Sequence, residues 1–373
     1  MGKRNLLQSR DINSSSTAVE IHNFPEEIIE EILSRLPVKS LLKFRCVSKS
    51  WRSLIGSKRF IKTHLQNSTN NASFTHHRIV FLDSYPQTLR HASLRSLLNE
   101  PVIDTLAFDY PMYTLDDPIR LVGCCDGLIS ILMGQRQFFL WNPSTRTYKA
   151  LPDVDEGFKH PYVTQCGFGF DESNSDYKAV GKIYSLKTNS WKTLMGLDVD
   201  SFVEEGGKLV SGKLHWERKS DLNNRIWDIV SFDLKSEVYG IVDQPNYREG
   251  KYHPSLGVLG GCICVLCDYK KICVDVWVMK EYGVRESWVK VLVVPYPCDH
   301  RIARFSTPFF IGSQGEILFM YGLSFAVYYP KDKIFRRHRR IHFAPFSEAN
   351  VYVESLVSLV PDVEHERQTQ STA

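Results

Sequence analysis

From Phe24 to Leu36, large apolar side chains fall at Phe24, Ile28, Ile29, Ile32, Leu33 and Leu36, the three-and-four spacing of one face of an α-helix. Pro25 suits the first helical position, and Glu26 and Glu27 suit the positive end of the helix dipole. Pro37 disfavours helical geometry at Leu36 and closes this helix. Leu41, Leu42, Phe44, Val47, Trp51, Leu54, Ile55, Phe60, Ile61 and Leu65 continue at helical intervals and predict two or three further short helices. The polar run 67–75, rich in Asn, Ser and Thr, reads as a linker. From residue 76 to about Val360 helical periodicity disappears, and short apolar runs alternate with turn residues, the pattern of strands.

The strand region repeats. Aromatic pairs seven residues apart occur at Trp141 and Tyr148, Tyr184 and Trp191, Phe232 and Tyr239, and Tyr328 and Phe335. Trp277 and Trp288 read as a fifth copy whose loop is lengthened by 280–285. The first members of these pairs are spaced by 43, 48, 45 and 51 residues, and glycine-led apolar runs begin at Gly127, Gly212, Gly261 and Gly315. A period of 40 to 50 residues with several strands per unit is that of propeller blades, which hide their apolar faces only against neighbours. Residues 76–360 divide into about six such units, with five or seven left open by the irregular spacing.

The helical segment is too short to hide all its large aliphatics in one small core, because about 45 residues lies near the lower limit for an independent core. Either several of these side chains face a partner, or they pack against the chain's own β region. Charge adds to the picture. The formal balance of the chain is +4, yet the window Lys39–Lys62 holds eight basic residues and no acid, leaving −4 elsewhere. A basic run is often only a solvated face, but interleaved with apolar positions it points to a partner of acidic character.

Composition is that of a globular protein: 43% hydrophobic, 12% aromatic and 24% charged residues. Residues 1–19 and 361–373 read as disordered tails. The N-terminal stretch has no apolar core of a secretory signal, Leu6 departs from the myristoylation pattern after Gly2, and no run approaches a membrane span. Nine cysteines without a secretory signal fit free thiols. A soluble protein of cytoplasm or nucleus is the expectation.

The run FPEEIIEEILSRLPVKSLLKFRCVSKSWRSLIGSKRFIKTH, 24–64, resembles an F-box, with its Ile-Leu pair, Leu-Pro, Val-x-Lys-x-Trp and terminal Phe-Ile in order. Phe24 stands where leucine is commoner, a conservative change. WNPSTRTYKALP from Trp141, FGFDESNSDYKAVGKIYSLKTNSWKTL from Phe168 and VDVWVMKEYGVRESWVKV from Val274 resemble the F-box-associated domain of plant F-box proteins, which is propeller-like and related to kelch repeats. The resemblance implies a small all-α F-box at 20–66, followed by an all-β propeller-like domain of about six blades at 76–360. It further implies a substrate receptor of an SCF ubiquitin ligase. The F-box would bind a Skp1-like adaptor, and through it a cullin, while the β domain captures a target protein for ubiquitination and degradation. The matching docking positions are Pro25, Ile28, Ile32, Leu33, Leu36, Pro37, Leu41 and Leu42, with Val47 and Trp51 holding the helices together.

Other constellations carry less. Cys262, Cys264, Cys267 and Cys273 lack paired metal-knuckle spacing, and Cys264 and Cys267 should face opposite sides of a strand. His76, His77, His338 and His342 have no nucleophile motif nearby, and the acid pairs Asp116–Asp117 and Glu204–Glu205 read as solvated turns. No catalytic residue, metal or cofactor is expected. The string Arg336–Arg340 suits either a nuclear-import signal or a charged strand edge that discourages pairing. A non-ligase β-repeat scaffold, a nucleic-acid binder using the basic helices, and a propeller that takes a small ligand or carbohydrate remain open as competing readings.

Overall fold

The computed structural model describes residues 25–83, 88–101, 103–108, 118–134, 137–152, 166–180, 183–192, 206–219, 227–247, 252–269, 272–296, 305–322, 324–338 and 349–359. Both expected tails lie outside these residues, as does Phe24.

Four helices open the chain: α1 (Glu26–Leu33), α2 (Val38–Phe44), α3 (Lys49–Gly56) and α4 (Lys58–Thr69). Pro25 and Pro37 sit at the N-cap positions of α1 and α2 with extended backbone, one place earlier than the first helical position expected for Pro25. Their fixed φ angles start each helix without a capping side chain. Serines start the other two: Ser48 Oγ accepts the amide of Trp51 at 3.1 Å and Ser57 Oγ that of Phe60 at 3.2 Å. The first helix ends at Leu33, before Leu36, and α4 runs three residues into the polar stretch read as linker from 67.

The β region is a ring of six four-stranded antiparallel sheets. Blade 2 is β4 (Ile119–Cys125), β5 (Leu128–Met133), β6 (Gln137–Asn142) and β7 (Thr147–Ala150). Blade 3 is β8 (Gly167–Asp171), β9 (Asp176–Val180), β10 (Ile183–Ser185) and β11 (Ser190–Lys192). Blade 4 is β12 (Lys208–Val210), β13 (Lys213–Lys219), β14 (Trp227–Asp233) and β15 (Tyr239–Val242). Blade 5 is β16 (His253–Leu259), β17 (Cys262–Asp268), β18 (Cys273–Met279) and β19 (Trp288–Pro295). Blade 6 is β20 (Phe310–Ile311), β21 (Ile317–Tyr321), β22 (Ser324–Tyr329) and β23 (Ile334–Arg337). Blade 1 is assembled from both ends of the domain: β24 (Ala349–Val353) pairs with β1 (His77–Leu82), followed outward by β2 (Leu89–Ser93) and β3 (Leu106–Ala107).

Local chemistry explains the repeat. In the four seven-residue aromatic pairs the two rings sit on directly opposed residues of the third and fourth strands of a blade. Each pair brackets a short loop in which the residue two before the second aromatic, Arg146, Asn189, Glu237 or Lys333, has a positive φ between 51° and 58°, as in the common hairpin loops built around a type I turn. The four glycine-led runs mark the tight turns between first and second strands, where Gly127, Gly212, Gly261 and Gly315 hold φ from +71° to +86°. The fifth aromatic copy departs from expectation. A bulge between Val276 and Trp277 shifts the register, so Trp288 opposes Met279 and Trp277 opposes Lys290. The β region also contains a helix that strand patterning did not reveal, α5 (Leu94–Asn99), inserted between β2 and β3.

Each blade-to-blade seam has its own core. Val80, Leu82 and Tyr352 pack against Ile129, Ile131 and Trp141 between blades 1 and 2. Leu132, Phe138 and Leu140 meet Phe168, Ala179 and Tyr184 next, and Ile183 meets Leu214, Trp216 and Phe232 after that. The fourth seam joins Val210 and Ile229 to Ile263 and Val265, and the fifth joins Leu266 and Val276 to Phe319 and Ala326. The ring closes where Leu318, Phe325 and Val327 meet Ile79, Phe81 and the leucines of α5. Blade 6 also ties down the C-terminal carbonyls of α5. Tyr329 Oη donates to the Leu98 carbonyl at 2.9 Å, and Arg336 Nη2 donates to those of Leu97, at 3.0 Å, and Leu98.

Candidate functional site

The helical segment folds around one small core made of Leu33, Val38, Leu41, Ile55 and Phe60, with Leu356 from the far end of the chain completing it. This divides the eight expected docking residues into three groups. Pro25, Ile28, Ile32 and Pro37 are exposed, Ile28 at 47% and Ile32 at 54%, while Leu36 and Leu42 are half-buried. Leu33 and Leu41 are 2% and 0% exposed and face inward, so they support the surface from behind. Ile28 and Ile32 lie four residues apart on α1 and therefore on one face, one turn above the other.

Trp51 packs edge-on against Phe44, ring centroids 5.6 Å apart, inside the helical cluster, but Val47 is 61% exposed and does not hold the helices together. The turn that carries it leaves its side chain on the outer surface. Beside it, Leu42, Arg45, Cys46, Ser48, Lys49 and Arg52 line an open groove of about 600 Å³. All eight basic residues of the window Lys39–Lys62 are exposed. Of these, Arg59 pairs with Glu30 of α1. The segment thus carries an exposed apolar pair on α1 and exposed basic residues along α2, α3 and α4.

Another face of the segment meets the propeller. Ile61 and Leu65 of α4 pack on the seam between blades 2 and 3. His64 is fully buried and its Nε2 lies 2.8 Å from the Leu36 carbonyl. Its ring sits edge-on to that of His76, centroids 6.0 Å apart. Burial lowers the pKa of His64 and His76, and burial together with the neighbouring His76 pushes His77 down to about 4. All three are held neutral at physiological pH. The helical aliphatics therefore divide: Ile61 and Leu65 pack against the chain's own β region, while Ile28 and Ile32 are left in solvent.

The remaining candidates are dispersed. On β17, Cys264 belongs to the seam with blade 6 and Cys267 to the seam with blade 4, so the two thiols point apart; burial raises the pKa of each. Among the described residues no three His, Cys, Asp or Glu side chains are grouped to hold a metal ion. His338 approaches the Leu97 carbonyl at 3.0 Å, and Arg337 lies over the Tyr321 ring. With Arg336 also engaged on α5, Arg336 and His338 of the basic string serve the ring closure. Arg339, Arg340, His342, Asp116, Asp117, Glu204 and Glu205 lie outside the described residues. No helix among the described residues is long and apolar enough to cross a membrane.

A helical segment with an exposed ridge, seated on a closed six-bladed propeller, defines a two-module recognition protein. Residues 21–63 match the F-box domain family, and residues 97–359 match the family described as the F-box associated beta propeller domain. F-box/kelch-repeat protein At3g23880 of Arabidopsis thaliana is 30% identical over 357 residues, covering 90% of this chain and 96% of that protein. F-box protein CPR1 of the same plant is 30% identical and covers 73% of each chain, and F-box protein At4g22390 is 28% identical over 76% of this chain and 77% of its own. The chain belongs to the F-box proteins that carry an F-box-associated β-propeller.

Proposed function

We propose that this F-box protein is the substrate-recognition subunit of an SCF ubiquitin ligase. Its helical module binds a Skp1-like adaptor, and through it a cullin, while its propeller captures a target protein for ubiquitination and degradation. The observation that carries this reading is the pair Ile28 and Ile32, large aliphatics left half-exposed on a helix flanked by Pro25 and Pro37. Covering the exposed half of each contributes about 1 kcal/mol, and half-buried Leu36 and Leu42 extend the apolar area. The exposed basic residues select an acidic partner and speed its encounter. The chain contributes proximity: holding the target near the ubiquitin-carrying enzyme raises the effective concentration of the target's lysines.

The test is co-purification of the full chain with a Skp1-like adaptor and cullin, alongside an Ile28→Asp, Ile32→Asp double variant, with mass spectrometry of what else is retained. Adaptor recovery by the native chain only supports the reading and leaves the other retained proteins as candidate targets. Salt-sensitive binding of DNA or RNA through the basic window, without adaptor binding, would instead support the nucleic-acid reading.

A further inference from the structure

The segment that follows the closing strand β24 is buried although it belongs to no sheet. Ser355 is 0%, Leu356 6%, Val357 9% and Leu359 4% exposed. Its backbone is pinned by the propeller. The Glu354 amide donates to the His76 carbonyl at 3.0 Å, and Arg78 Nε donates to the Glu354 carboxylate at 3.0 Å. Asn142, itself fully buried at the end of β6, donates Nδ2 to the carbonyls of Ser355 at 3.2 Å and Val357 at 2.9 Å. The turn at Gly127 leaves room for it: a Cβ at that position would lie 2.3 Å from Ser355 Oγ and 2.5 Å from the Val353 carbonyl.

Side chains alternate along this strap as on an extended strand. Leu356 points into the helical core with Leu33, Val38, Leu41, Ile55 and Phe60. Val357 and Leu359 belong to the seam of blades 2 and 3, the cluster against which Ile61 and Leu65 of α4 also pack. One short segment therefore presents one face to each module.

We infer that the strap Glu354–Leu359 is a working part of the docking module: it completes the core behind the Ile28 and Ile32 ridge and fixes that ridge in one orientation on the propeller. A helical segment of this length is short of core, and Leu356 supplies the missing wall. The strap continues directly from β24, the strand that closes the ring through β1. Ring closure and completion of the docking core are thus joined in one stretch of chain, and a chain whose propeller has not closed lacks a finished docking surface. That Leu356 completes the helical core stands apart from the ligase reading, while the consequence for docking rests on it.

The experiment is amide hydrogen exchange on the full chain without partner, comparing the native protein with Leu356→Asp, Leu356→Met and Asn142→Ala. Leu356→Asp is expected to raise exchange at least tenfold in α1–α4 while β16–β18 of the distant blade 5 keep their protection, and Leu356→Met is expected to restore native rates. Asn142→Ala, which loosens the strap without altering the helical core, is expected to raise exchange in the same helices to a smaller extent. Unchanged protection of α1–α4 in both Leu356→Asp and Asn142→Ala overturns the proposal, as does a rise confined to propeller strands. A second readout, adaptor affinity, is expected to fall at least tenfold in Leu356→Asp. Absence of adaptor binding by the native chain counts against the ligase reading alone, whereas the exchange pattern decides the role of the strap.

Discussion

The helical segment and the propeller handle apolar surface in opposite ways. Each of the six seams between blades is filled from both sides, and side chains as large as Trp141, Trp216, Phe232 and Phe319 are almost wholly enclosed. The propeller's exposed aliphatics lie mainly on outer strands, at Ile241, Ile334 and Val289, Val291 and Val293. The helical segment borrows part of its core from the strap and still leaves Ile28 and Ile32 in solvent. Both modules thus leave aliphatics in solvent, the propeller mainly on its outer strands and the helical segment on one face of α1, and they differ in how much of their core each supplies for itself.

This contrast is sharpened first by placing charge on the open ridge. Asp at both Ile28 and Ile32 removes the apolar contact and buries two unpaired carboxylates on docking, each costing several kcal/mol. Adaptor binding measured by titration calorimetry is expected to fall more than 100-fold, with the melting temperature of the free chain nearly unchanged because both positions are exposed. The second largest effect lies in the propeller. Trp216 is 2% exposed, donates its indole N–H to the Cys166 carbonyl at 3.0 Å and lies against Gly167 and Gly207. Trp216→Ala is expected to destabilise the propeller by about 3–5 kcal/mol in denaturant titration.

The boundary between the regions supplies a pH test. His64, His76 and His77 are held neutral by burial, with folded pKa values below the ordinary 6.5. The unfolded chain therefore binds more protons than the folded one as pH falls through 6.5, and stability is lost in that direction. His77, at about 4 when folded, alone accounts for about 3 kcal/mol by pH 4. Urea titrations at pH 7.5 and 5.0 should show the lower stability at pH 5.0, and the difference should shrink in His77→Phe. The smallest effect is expected at Val47: being 61% exposed, it should tolerate Asp with a stability change within about 0.5 kcal/mol, whereas a helix-bracing role would cost several times more.

Periodicity made the helices and the blade repeat legible, and brought the blade number to about six with five or seven open, because each rests on chemistry local in sequence. The aromatic pairs mark opposed positions across short loops, and the glycines mark left-handed turns. What escaped notice depends on contacts between distant residues. Blade 1 draws one strand from the far end of the domain, so it has no complete copy of the repeat. The helix α5 is too short for its period to stand out in a strand-rich region. Among the docking candidates, the F-box resemblance grouped Leu33 and Leu41 with Ile28 and Ile32, but the helices' mutual packing decides which of them reach solvent. Leu356 was invisible for the same reason: an apolar residue just past the last strand reads as one more strand position until the helices are seen to enclose it.

The central claim, that the ridge on α1 is an adaptor-docking surface, is tested most directly by measuring the affinity of the purified full chain for a purified Skp1-like adaptor, with and without the Ile28→Asp, Ile32→Asp substitutions. The account predicts a stable one-to-one complex for the native chain and a loss of more than 100-fold in the double variant, whose propeller still melts as in the native protein. Undiminished binding by the double variant, or none by the native chain, would contradict it.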